Sequence, residues 1–190
     1  MGQSLTWLAV RGKEPAQVLA DLDAQLAGDA WAEFGTDPLA ASRLRSGWYA
    51  VAARGADHPW GTADWLAALS AGAEVVACRV EEHTMFASAE GWRAGERAWC
   101  VVHDAQQGAG HLQVDGAPPP ALAGITAELR ALQAGSAGVD YLFEVPLKLA
   151  QRLTGFKHDE GDDGTHGRWR ALRTGPAQPA APARPWWKRW

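Results

Sequence analysis

The amino-acid sequence predicts an α+β domain on a mainly antiparallel sheet, with helices mostly on one face. Three observations lead there. Over the first 72 residues, two short apolar runs alternate with two one-sided amphipathic stretches. Residues 74–114 carry period-two patterning and turn signals but no helical period. Two further helical stripes follow, and one-sided stripes pack on a sheet. The expected order is β-α-β-α-β-β-β-α-α.

Leu5 to Val10, with Trp7, reads as a buried strand. Pro15 suits a first helical position, and Val18, Leu19, Leu22 and Leu26 share one face, so a helix is expected over 15–27, stopped by Gly28. Residues 29–46 show no clear period and read as loop. Trp48 to Ala53 is a second strand. Thr62 opens a helix over 62–70 that carries Trp65, Leu66 and Leu69, with Gly72 behind it.

Val76, Cys78 and Val80 alternate with Ala77, Arg79 and Glu81, and the chain reads as extended through Phe86. A turn at Trp92-Arg93-Ala94-Gly95 returns Arg97 to His103 antiparallel, and His111 to Val114 adds a last short strand. Leu122, Ile125, Leu129 and Leu132 form the strongest helical stripe, over 120–134. Pro146 opens a final helix over 146–154, with Gly155 as its stop. Residues 1–160 are expected to form one globular domain. Residues 161–190 read as a flexible basic tail rich in Pro, Ala and Trp.

Charge separates these two parts. Residues 164–190 hold Arg168, Arg170, Arg173, Arg184, Lys188 and Arg189 and no acid, while residues 1–163 hold 12 basic against 22 acidic residues. An acidic body is a poor phosphate binder, so no specific nucleic acid is expected as a partner. Trp186, Trp187, Lys188, Arg189 and Trp190 have the composition of a segment that docks on a partner or an anionic surface. No apolar run is long enough to span a membrane. Cys78 and Cys100 lie in apolar runs without CxxC spacing. With no export signal at the start, they are expected to be reduced core thiols in a cytoplasm. Ala, Gly and Arg richness suggests a bacterial one.

One cluster stands out for chemistry. Glu81 and His83 share a strand face, whereas Glu82 continues the apolar face of Val76, Cys78 and Val80. A carboxylate there needs a partner or the sheet rim. His103-Asp104 closes the return strand, so His83 and His103 are candidate cross-strand neighbours. With Glu81 they have the composition of a two-histidine, one-carboxylate metal set, though a polar face meeting solvent or a ligand is the plainer reading. Lys157-His158-Asp159-Glu160, with Asp162 and Asp163, reads as a solvated acidic run. GxSxG, HExxH, GxGxxG and phosphate-loop motifs are all missing.

The expected function is therefore a non-catalytic binding or protein-interaction module without a cofactor, with Glu81, Glu82, His83, His103 and Asp104 as binding residues. The alternative is an enzyme, with or without a metal, that uses the same five residues.

Overall fold

β1 (Ser4–Arg11) is buried along nearly its whole length, because strands pair with both its edges and helices cover both its faces. The computed structural model describes residues 2–136, 138–160 and 166–175. In chain order the elements are β1, α1 (Pro15–Asp21), β2 (Ala24–Trp31), β3 (Leu39–Arg43), β4 (Tyr49–Arg54), α2 (Ala63–Ser70), β5 (Glu74–Glu81), β6 (Phe86–Arg93), β7 (Glu96–Asp104), β8 (Gln113–Gly116), α3 (Ala121–Gly135), α4 (Glu144–Thr154) and β9 (Arg170–Thr174). The strands make one nine-stranded sheet in the order β2-β9-β3-β4-β1-β5-β6-β7-β8. Every pairing is antiparallel.

The helices divide between the faces, the longer pair on one and the shorter pair on the other. Trp7, Val76, Cys78, Val80, Ala87, Ala89 and Val101 form a core with Leu122 and Leu129 of α3 and Leu147 and Leu149 of α4. Leu8, Val10, Val51, Val75 and Ala77 form a second core with Val18 and Leu19 of α1 and Leu66 and Leu69 of α2. On that second face the sheet turns polar beyond α2, with Arg79, Ser88 and Glu90 in adjacent rows.

Three strands depart from the sequence reading. The first helix ends at Asp21 instead of running to residue 27. Asp23 adopts a positive φ of 48°, which aspartate tolerates better than most residues, and β2 begins there. Leu26 then pairs with Leu172 across the sheet and does not extend a helical stripe. β3 lies inside the stretch read as loop. Its Ala40, Ala41 and Ser42 are all buried, so they show no alternation.

The expected tail does not begin at residue 161. β9 inserts between β2 and β3, with Trp169 and Leu172 buried. Arg168, Arg170 and Arg173 thus belong to the folded body. Residues 176–190, including Trp186, Trp187, Lys188, Arg189 and Trp190, lie outside the described residues. No helix among the described residues is long and apolar enough to cross a membrane.

Candidate functional site

The five residues singled out in the sequence go to four places. β5 stops at Glu81 and β6 starts at Phe86, so Glu82 and His83 lie in a turn that the sequence reading carried through as strand. Met85 closes this turn with a φ of 54°. The next hairpin turns at Ala94 and Gly95, whose φ values are 53° and 81°, and a register shift lies between Gly91 and Trp92. His103 consequently faces Ala87, not His83. His83 Nδ1 lies 2.8 Å from Glu81 Oε1 at the exposed rim. Hydrogen bonds from Ser4 and His83 hold the Glu81 carboxyl below its usual range. Asp104 accepts the Gln106 N–H at 3.0 Å and so caps a short turn.

His103 is fully buried beneath the α3–α4 layer. Its Nδ1 donates to the His111 carbonyl at 2.7 Å, and its Nε2 lies 2.9 Å from Asp140 Oδ2. Both nitrogens face oxygen acceptors, so the ring ties β7 to the segment between α3 and α4. The two-histidine, one-carboxylate set is not assembled. Among the described residues, no group of three or more His, Cys, Asp or Glu side chains is gathered to hold a metal ion.

Glu82 has a different partner. Its Oε2 accepts the Gln3 N–H at 2.7 Å, and its Oε1 faces His158 Nε2 at 3.3 Å. The Glu82 backbone N–H also bonds to the Gln3 carbonyl at 2.9 Å. The turn is therefore locked to the start of β1 while its carboxylate orients an imidazole from beyond α4. With Nε2–H donating to Glu82, Nδ1 of His158 is an acceptor. That atom is buried and has no hydrogen-bond partner among the described residues. Burial holds the His158 pKa below its ordinary value, against the opposing pull of Asp159 and Glu82, so the ring is neutral near pH 7.

His158 lines a cleft of about 520 Å³. Trp31, Phe34, Phe156 and Trp169 form its aromatic walls, with Glu33, Asp159, Glu160 and Arg168 around them. Trp169 meets Phe34 at 4.6 Å and Phe156 at 5.5 Å between ring centroids, and Phe156 meets Trp7 edge-on at 5.1 Å. The cleft is thus rooted in the core through Trp7. The Gln3 side-chain oxygen and Trp169 Nε1, both in the same lining, are also buried without partners. Arg168 places its guanidinium carbon 4.0 Å from the Trp31 ring centroid, a cation–π contact. Lys157 bonds Asp159 at 2.9 Å. Burial works against its charge, but Asp159 and Glu144 hold its pKa above the usual value.

The sequence reading missed this cleft because its walls come from segments taken as loop and tail. The legible signal was Glu82, a carboxylate in phase with an apolar face. No protein-family model, curated protein or solved structure matches the chain.

Proposed function

We propose that the protein is a non-catalytic binding module whose aromatic cleft takes an organic cation bearing an N–H or O–H donor. The observation that carries this reading is the unpartnered Nδ1 of His158, a neutral acceptor held in one tautomer by Glu82. A buried acceptor left unsatisfied is worth about 1–3 kcal/mol to a ligand that fills it. Among the described residues, three carboxylates against one guanidinium in the lining favour positive charge. The stacking of Arg168 on Trp31 supports the same preference, because the wall already accommodates a cation.

Agmatine and choline serve as probes, titrated into the full chain and followed by tryptophan fluorescence and thermal shift. Saturable binding is expected from at least one. Trp31→Ala, a change at an exposed ring, should weaken it by about threefold to thirtyfold. Arg168→Gln should tighten it by removing the resident cation. No saturable response from either probe at about 10 mM, or equal binding by Trp31→Ala, overturns the reading.

The Glu82–His158 pair favours one second reading, proton transfer with His158 as general base. Among the described residues no Ser, Thr or Cys lines the cleft, so this reading has the base act on water or on the ligand itself.

A further inference from the structure

A second cavity, of about 500 Å³, opens on the other face of the sheet, where α2 leaves β5, β6 and β7 uncovered. Its floor is Glu90. This side chain is only 7% exposed. Trp92 Nε1–H donates to Oε2 at 3.1 Å. Arg79 Nη2 reaches Oε1 at 3.4 Å, and Arg97 Nη1 lies 3.7 Å from Oε2. A carboxylate sealed in the sheet needs compensation, and here it holds two arginines in place at once.

The arginines are what a ligand would meet. The Arg79 and Arg97 side chains are 34% and 47% exposed above the sealed carboxylate. Arg79 spends Nε on Ser88 Oγ at 3.3 Å and Nη2 on Glu90, which leaves much of a fork of five donors unengaged. Gly61 makes room for its stem, since a Cβ there would lie 3.3 Å from Arg79 Cδ and 3.1 Å from Thr6 Cγ2. His58, on the same lining, accepts the Trp60 N–H on Nδ1 at 3.3 Å, so its own proton sits on Nε2 as a further donor. Asp57 at the rim is solvent-exposed and is the one carboxylate in the lining that an anion would have to avoid besides Glu90.

From this arrangement we infer that the polar cavity is an oxyanion site, in which Arg79 and Arg97, set by the buried Glu90, grip a phosphate or carboxylate group of a small ligand. Paired guanidiniums suit such groups because their forks match the oxygen spacing. This site is independent of the aromatic cleft.

Inorganic phosphate and acetate, titrated into the full chain at fixed ionic strength and followed by calorimetry and thermal shift, test it. Saturable binding by either is expected. Preference for phosphate assigns a phosphate ester as the ligand group, and preference for acetate assigns a carboxylate. Arg97→Gln, a change at a side chain that is nearly half-exposed, should weaken binding about tenfold or more. Arg79→Gln should do the same, and Arg130→Gln on α3, which removes the same charge elsewhere, should leave it unchanged. If neither anion saturates below about 20 mM, or if Arg130→Gln weakens binding as much as Arg97→Gln, the inference is wrong.

Discussion

Trp169→Ala tests whether the segment after residue 165 is structural. Trp169 is 5% exposed and packs on Phe34, Phe156 and His166. Truncating a buried tryptophan costs about 3–5 kcal/mol. Its indole N–H is buried without a partner, so losing it returns about 1–3 kcal/mol. The net expectation is a loss centred near about 2 kcal/mol within a range of about 0–4, or a Tm lower by roughly 4–8 °C at the centre for a chain of this size. Trp169→Phe keeps an aromatic ring and drops the orphan donor, and should stay within about 1 kcal/mol of wild type. The backbone bond from Ala32 N–H to the Trp169 carbonyl, at 3.0 Å, survives both changes. Urea unfolding followed by far-UV circular dichroism reads the difference with m as a check on the transition. Truncation after Gly164 should be worse than either substitution, because among the described residues β9 is the sole strand neighbour of β2. A Trp169→Ala chain no less stable than wild type at unchanged m, or a truncated chain with an unshifted midpoint, would return this segment to the status of a tail.

Two further outcomes follow from individual contacts. A Cβ at Gly91 would sit 2.0 Å from Trp99 Nε1, so Gly91→Ala should lose about 1–3 kcal/mol by forcing that indole to move; Gly124→Ala, with nothing within 4 Å, should gain up to about 1 kcal/mol from helix propensity, and equal effects at the two sites would refute the contact. His158 should make stability fall with acid: its folded pKa lies below the ordinary 6.5, so under that pH the unfolded chain binds the proton first and unfolding is favoured until the folded ring also titrates. His158→Gln should flatten the slope of stability against pH from about 6.5 downward, and an unchanged slope would show that other groups carry it.

Much of the sheet was legible because its central strands obey simple patterns. β1 and β5 are apolar runs, and α3 and α4 show stripes at helical spacing. The strands that were missed have no local signature. β3 is built of small residues buried on both faces. β9 reads Arg-Ala-Leu-Arg-Thr and becomes a strand only by pairing with residues far earlier in the chain, as in Gln25 with Arg173, 148 positions apart. The site was half legible for the same reason. Period two marks Glu82 as a carboxylate in need of a partner, but the partner, His158, is 76 residues away in a segment whose composition is that of a solvated run. His103 was matched to the wrong neighbour because the β5–β6 turn has no glycine or proline to announce it.

The molecule uses a carboxylate–imidazole pair twice, and the difference between the two is the best argument that one of them is a site. At His103, the His111 carbonyl takes one nitrogen and Asp140 takes the other, and the ring is sealed with no exposure. Such a closed pair fastens elements together and leaves the imidazole nothing to offer a ligand. At His158, Glu82 takes Nε2 and nothing among the described residues takes Nδ1. A purely structural histidine there would need a donor at Nδ1, and Asp159, 3.9 Å from that nitrogen, is a carboxylate that only accepts. Asp159 is itself engaged by Lys157 at 2.9 Å, and among the described residues the buried acceptor is left unpaired beside an aromatic cleft. Burial makes an unfilled acceptor unfavourable in the empty protein, and that same unfilled valence is what a donor-bearing ligand would satisfy.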